Sequence, residues 1–281
     1  MEIIREVKAM KAYVKSIRQK GETICLVPTM GYLHEGHLDL MLMGAPMADH
    51  LIISIFVNPT QFGPNEDLDK YPRNMERDEQ LAVSVGVECI FFPSASQMYP
   101  DGYATYVNVE RITKGLCGAS RPNHFRGVAT VVAKLFNIVE PDVAIFGQKD
   151  YQQLAVIRRM VDDLNMNVKV VAHATVREKD GLAMSSRNKY LSPDQRRNAL
   201  VLHNSLLHAF SLVGSGERSS AKIREEVMDK IANTPECVID YVEIVDPDTL
   251  EPVEIIKADV VMALAVKVGP TRLIDNMILE V

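Results

Sequence analysis

Residues Pro28 to Leu40, PTMGYLHEGHLDL, decide how this chain is read. They follow an apolar run, Ile24 to Val27, with the look of a buried strand. They precede an apolar-periodic segment, Leu38, Leu40, Met41, Leu42 and Ala45, that reads as a helix. His34 and His37 therefore fall at a strand-to-helix junction, with Gly31 and Gly36 beside them. A helix N-terminus offers N–H groups and a partial positive charge, which suits phosphate. Glycine lets backbone approach closely, and imidazole can donate to phosphate oxygens. The pattern fits a nucleotide-triphosphate site built without a Walker loop. A zinc-protease reading fails on spacing: His-Glu-x-x-His needs its second histidine at the position of Leu38. No Cys/His cluster offers a further zinc ligand. The plain alternative, two histidines capping a helix, is weakened because imidazole is a poor cap.

Outward from this stretch, apolar runs alternate with helical patterns. Ile24–Pro28, Leu51–Val57, Cys89–Pro93, Val143–Gly147 and Val168–Ala172 read as strands. Leu38–Ala48, Met75–Val85, Phe125–Val139 and Tyr151–Leu164 read as helices. Continuous rather than alternating apolar strands point to a parallel sheet buried on both faces, hence a Rossmann-like, doubly wound α/β domain over residues 1–175. Ligands of such sheets bind at the carboxyl ends of the strands. The histidine loop, Asn58–Gly63 and Gly147–Asp150 all follow such ends. Residues 176–281 read as a smaller α+β domain. A polar loop, Arg177 to Asn188, leads to a helix start at Ser192–Pro193. Helices over Pro193–Val213 and Ser219–Asn233 follow, then strands near Ile239–Val245, Val260–Val268 and Leu273–Leu279. The Met184–Arg187 loop, polar and at the domain junction, is expected to be mobile and to act as a lid.

Composition sets bounds. The 281 residues are 47% hydrophobic, enough for a real core, and the net charge of −6 leaves no footprint for nucleic acid. Four scattered cysteines without a C-x-x-C read as reduced thiols of a cytosolic protein. The amphipathic N-terminus lacks the apolar core of a signal peptide, and no run is long enough to span a bilayer, so a soluble cytoplasmic protein is expected.

Other segments carry chemistry. Asn58 and Gln61 leave two carboxamides after a strand, suited to a hydroxy-carboxylate; an ordinary Asn-Pro turn reads equally well there. Lys149 adds a mobile cation at another junction, Asp150 could cap the helix or hold ribose hydroxyls, and Gln153 lies one turn in; a solvated Lys-Asp pair is the plain alternative. Ser185, Ser186 and Arg187 make a phosphate clamp or a simple linker turn. Arg121, His124 and Arg126 gather near the start of the Phe125–Val139 helix.

PTMGYLHEGH, FVNPTQF, DLDKYPR, RPNHFRGV, GQKDYQQL and REKDGLAMSSRN together resemble the signature segments of the pantoate–β-alanine ligase family. The likeness runs in order from residue 24 to about 200. It extends to the nucleotidyltransferase superfamily, whose His-x-Gly-His and Lys-Met-Ser-Lys-Ser type motifs are similar to His34–His37 and Met184–Asn188. The resemblance implies a homodimer that joins pantoate to β-alanine through a pantoyl adenylate, releasing AMP and pyrophosphate. By that resemblance His34, His37, Lys149, Ser185, Ser186 and Arg187 meet the phosphates. Gly147 and Asp150 meet the ribose, while Val176 and Met184 meet adenine through main chain. Met30, at the edge of the ATP site, contacts pantoate together with Gln61 and Gln153. Asn58, Tyr71 and Arg121 are weaker carry-overs. Magnesium is expected on the phosphates, with Asp78 as the nearby carboxylate. Two departures stand out. Asn123 replaces a frequent glycine, and Glu76-Arg77 replaces an acidic pair before Asp78, which weakens the metal assignment. The alternatives are a nucleotidyltransferase acting on another small acid and a non-catalytic nucleotide-binding protein.

Overall fold

A computed structural model describes residues 1–64 and 66–281. The chain divides into two compact units. One comprises Met1–Val109, Arg121–Gln148 and Gln153–Ala174, the other Glu110–Ser120, Lys149–Gln152 and Thr175–Val281.

The strands of the first unit are β1 (Glu2–Ile4), β2 (Ile24–Thr29), β3 (His50–Ile55), β4 (Cys89–Phe91), β5 (Val143–Gly147) and β6 (Lys169–His173). They form one parallel sheet in the order β1-β4-β3-β2-β5-β6. Its helices are α1 (Val7–Arg18), α2 (Glu35–Gly44), α3 (Met75–Ser84), α4 (Ala95–Met98), α6 (His124–Val139) and α7 (Tyr151–Asp163); a further turn, α5 (Cys117–Ser120), belongs to the second unit. The chain runs from β2 outward to β3 on one side and later to β5 on the other, so the strand order reverses between β2 and β5. That reversal is where open α/β sheets form their ligand crevice.

The apolar runs become strands because both sheet faces are covered. Cys25, Val27, Leu51 and Ile53 pack with Met41 of α2 and Ala82 of α3, while the alternate residues Leu26 and Ile52 are equally buried. Each such large side chain contributes about 1.5–3 kcal/mol on burial. Helix α6 is apolar nearly all round and is buried to match. Its N-cap, Asn123, has φ +66°, a left-handed conformation that glycine and asparagine adopt most readily. This explains why asparagine can stand in for the glycine frequent there.

The second unit holds β7 (Cys237–Val245), β8 (Val260–Val268) and β9 (Thr271–Leu279) as an antiparallel sheet with β8 in the centre. Its helices are α8 (Pro193–Asn198), α9 (Leu200–Gly214) and α10 (Ser220–Ala232). Leu202, Leu206, Ile223, Val227, Leu264 and Val266 share its core.

The N-terminal stretch, expected to be amphipathic, opens with the short strand β1 and continues as α1, which buries Met10, Val14 and Ile17. One local expectation is corrected. The single helix expected over Pro193–Val213 is two, separated at Ala199. Ser192 does start the first, through a reciprocal cap with Gln195: Ser192 Oγ accepts the Gln195 N–H at 3.2 Å, and Gln195 Oε1 accepts the Ser192 N–H at 3.1 Å. Ahead of Met184, the Arg177–Asn188 segment carries polar ties and buried residues. Arg177 bridges Ala183, Leu182 and Ala183 are buried, and Arg196 reaches both Glu178 and Asp180. Among the described residues no helix is long and apolar enough to cross a membrane.

Candidate active site

The carboxyl edge of the parallel sheet carries the first set of functional side chains. Strand β2 ends at Thr29, and α2 starts at Glu35 with His34 as its extended N-cap (φ −137°, ψ 171°). The helix begins three residues earlier than the apolar period shows, so His37 lies in its first turn. The His34 and His37 rings lie against each other, with centroids 3.9 Å apart and planes tilted by 34°. His37 Nδ1 accepts the His34 backbone N–H at 3.3 Å. In neutral His37 that leaves the proton on Nε2, which can donate to an anion.

The turn between strand and helix is held from outside. Gly31 and Tyr32 both have positive φ, +82° and +52°. Thr29 Oγ1 accepts the Gly31 N–H at 3.2 Å. Asp78 Oδ2 accepts from the Tyr32 N–H and Oδ1 from the Leu33 N–H, both at 2.7 Å. Asp78 is 2% exposed. Burial pushes its carboxyl above the ordinary value, against the downward pull of those two donors. Asp78, expected near magnesium, is seen here supporting the backbone of the turn with both its oxygens. Among the described residues no group of three or more His, Cys, Asp or Glu side chains could hold a metal ion.

Gln61 sits in the 3-10 turn Pro59–Gln61 after β3. Its Nε2 donates to Met30 Sδ at 3.2 Å, and its Oε1 accepts from Asn58 Nδ2 at 3.0 Å. Asn58 is 1% exposed and fully engaged: Oδ1 accepts from Tyr99 and Thr60, and Nδ2 also donates to the Gly127 carbonyl. Asn58 thus holds Gln61 in place and has no amide to spare for a substrate, which corrects the reading of it as a crevice-facing group. A Cβ on Gly127 would lie 2.4 Å from the Thr60 carbonyl oxygen, so only glycine lets α6 approach this turn.

Arg121 Nε donates to Glu66 Oε1 at 2.8 Å, and its Nη1 faces His124 Nε2 at 3.1 Å. His124 Nδ1 lies 2.9 Å from the Gln61 carbonyl oxygen, which can only accept. Nδ1 is therefore the protonated nitrogen, and His124 fixes Gln61 from the backbone side. Tyr71 is buried, edge-on to Phe62 at 6.1 Å. Gln153 is half-buried in α7, and Gly147 closes β5 with open space where a Cβ would stand.

The remaining sequence-predicted residues belong to the second unit. Lys149 and Asp150 form the 3-10 turn Gln148–Asp150, and the Lys149 carbonyl accepts from Asn276 Nδ2 at 2.8 Å. The Met184 N–H donates to the Val176 carbonyl at 2.9 Å. Ser185 caps the 3-10 turn Ser186–Tyr190, its Oγ accepting the Arg187 N–H at 3.2 Å. The sequence reading missed Thr29, Tyr99 and Glu66 as supports of the site, and it singled out His124 as a group at a helix start rather than as a support of Gln61. Each acts across a gap in sequence or through an ordinary-looking polar residue, and only the glycine at 127 hinted at a close approach.

Comparison with known proteins bears on the whole chain. Residues 2–278 match the family model described as Pantoate-beta-alanine ligase. The chain is 58% identical over 281 residues to a pantothenate synthetase of Acetivibrio thermocellus, covering 100% of both. It is likewise 58% identical over 281 residues to that of Moorella thermoacetica, covering 100% of this chain and 99% of the relative. Its fold is similar to the crystal structure of pantothenate synthetase from Thermus thermophilus, with a TM-score of 0.94, 46% identity and 99% of each chain covered. It is similar also to pantoate-beta-alanine ligase from Francisella tularensis complexed with Beta-gamma ATP and Beta-alanine, with a TM-score of 0.81, 33% identity and coverage of 99% and 97%.

Proposed function

We propose a reaction path from the premise that the chain belongs to the pantoate–β-alanine ligase family. It is an ATP-dependent ligase that forms pantothenate from pantoate and β-alanine. In the path proposed, a pantoate carboxylate oxygen attacks the α-phosphorus of ATP, the bond to the β-phosphate oxygen breaks, and pyrophosphate leaves. The β-alanine amine then attacks the activated carbonyl, loses a proton, and displaces AMP. Pantoate is already anionic at neutral pH, so the first step needs alignment and charge neutralisation rather than a general base. Positioning alone can supply on the order of 7–11 kcal/mol.

His34 and His37 take the triphosphate oxygens. The observation that carries this role is the close imidazole pair at the start of α2, at the carboxyl end of β2, with His37 Nδ1 accepting the His34 N–H. The helix start adds its own partial positive charge. Gln61, held by Asn58 and His124, takes pantoate together with Met30 and Gln153. Lys149, Ser185, Ser186 and Arg187 neutralise phosphate, Gly147 and Asp150 meet the ribose, and Val176 and Met184 meet adenine. These roles rest on the family motif; a relative that binds an ATP analogue and β-alanine supports the two substrates. Magnesium enters with the nucleotide, as Mg-ATP. The family resemblance supports a homodimer working in the cytoplasm.

The test is pyrophosphate exchange. Labelled pyrophosphate enters ATP when pantoate is present and β-alanine is absent. No exchange under those conditions removes the adenylate from the path.

A further inference from the structure

We propose that Asp78 is a positioning residue for the ligase reaction: its carboxylate fills the concavity of backbone N–H groups at Tyr32 and Leu33, and so fixes the turn that aims His34 and His37. The proposal rests on the phosphate role given above to those histidines.

Successive N–H groups in a turn that passes through left-handed residues make a small anion-binding concavity. Gly31 and Tyr32 supply that backbone here, with φ +82° and +52°. In a phosphate-binding loop the anion is the ligand. In this chain the anion is internal, because Asp78 accepts from Tyr32 and Leu33 at 2.7 Å each. The nucleotide is left to the imidazoles that follow immediately in sequence.

The clamp is built from α3. Asn74 caps that helix, its Oδ1 accepting the Arg77 N–H at 3.1 Å, and the Asp78 N–H closes on the Asn74 carbonyl at 3.0 Å. This aims the first turn at the loop. Arg77 completes the grip: its Nη1 donates to the Leu33 carbonyl at 2.6 Å, and its guanidinium lies 5.3 Å from the centroid of the Tyr32 ring. The fit is close, for a Cβ on Gly31 would stand 3.0 Å from Asp78 Oδ2 and 2.9 Å from Ile55 Cγ2. Packing alone does not hold the turn. Met30, Gly31, Tyr32, Ile55, Asp78 and Phe92 border a cavity of about 220 Å³. A turn beside open space, carrying a tyrosine at positive φ, needs polar ties to stay single-valued. His34 follows Leu33 directly and His37 lies three residues further on, so freedom in the turn passes to both.

The decisive variant is Asp78→Asn, of nearly equal volume but with one acceptor replaced by a donor facing an N–H. Its pyrophosphate–ATP exchange at saturating substrates falls by roughly 10²-fold, as misplacement of about 1 Å costs elsewhere. The spectroscopic readout is the nitrogen shift pair of the His37 imidazole, which reports the Nε2–H form in the parent and a mixture in the variant. Arg77→Met, at an exposed position, lowers exchange by about tenfold or less, moves the same shifts in the same direction, and keeps the question open to test if Asp78→Asn does not fold. Glu76→Gln, exposed in the same turn, changes neither. Unchanged His37 shifts with near-parental exchange in both variants overturn the proposal. Recovery of Asp78→Asn by excess magnesium also overturns it, in favour of a metal ligand. His37→Ala separates the two layers. Normal exchange in that variant refutes the histidine role, while the imidazole shifts of Asp78→Asn still report on the clamp by themselves.

Discussion

At the carboxyl edge of the six-stranded sheet, His34 and His37 sit on a helix start, with their turn held by the buried carboxylate of Asp78. At the amino edge, His50 opens β3 between two glutamates: Nε2 is 2.8 Å from Glu22 Oε2, and Nδ1 is 2.8 Å from Glu88 Oε2. Glu22 lies just ahead of β2 and Glu88 just ahead of β4, so one ring ties three strand entrances together. The same residue type serves opposite ends for opposite purposes. Where both ring nitrogens are taken by carboxylates, nothing is left for a substrate, and the arrangement serves the fold. Where an acid holds the backbone instead, the imidazole pair stands at a helix start, and His37 Nδ1 accepts the His34 N–H. The comparison separates activity from stability, and variants at each end should divide the same way.

The largest effect is expected at the carboxyl edge. His34→Ala and His37→Ala should each lower the adenylation rate by roughly 10²-fold or more, the usual cost of removing a preorganised donor to developing charge. Their circular dichroism should stay parental. His50→Gln should leave that rate unchanged. Near-normal turnover in both active-edge variants, or a large loss in His50→Gln, would break the division.

Next in size is the amide pair. Gln61 is gripped from three sides, by Asn58, Met30 and, through its carbonyl, His124. A buried amide partner left unpaired costs about 1–3 kcal/mol, which is roughly 5- to 150-fold in affinity. Gln61→Ala and Gln153→Ala should therefore raise the pantoate KM by that order while moving the ATP KM little. Equal effects on both substrates would mean that the amides only support the fold.

The contrast also shows what a sequence can disclose. The parallel sheet was legible because both-face burial writes continuous apolar runs, and β2, β3 and β5 lie close to where those runs stand. The histidine motif was legible because junction glycines and imidazoles are uncommon together. Asp78 was not, because its partners lie 45 and 46 residues away and a carboxylate in a first helical turn looks like any helix-dipole residue. Asn58 was misjudged for a related reason: an amide after a strand reads as available until Tyr99 and Gly127 are seen to consume it. The His50 clamp left no trace at all, since Glu22, His50 and Glu88 meet only through strand pairing. Residue type announces chemistry, but whether its atoms are spent is decided by distant neighbours.

The smallest effect belongs to that clamp, and it should appear as a pH dependence of stability. Burial by itself would lower the His50 pKa, but hydrogen bonds to Glu22 and Glu88 raise it above the ordinary value. The His50 hydrogen bond holds Glu22 below its own ordinary value, with Lys20 assisting from 3.7 Å and Asp49 opposing. A histidine whose folded pKa is raised contributes fully below its unfolded value, about 6.5, and loses that contribution as pH climbs through the folded value. A carboxylate whose folded pKa is lowered contributes above its unfolded value, about 4.3, and loses it as pH falls through the folded value. The clamp is thus strongest between about pH 4.5 and 6.5. The two glutamate side chains are 36% and 44% exposed, so solvent screening keeps the contribution small. Calorimetry from pH 6 to pH 8 should show the parental Tm falling slightly relative to His50→Gln, whose profile should be flatter. Parallel profiles would mean that His50 is held by strand pairing alone and that its two carboxylates add nothing measurable.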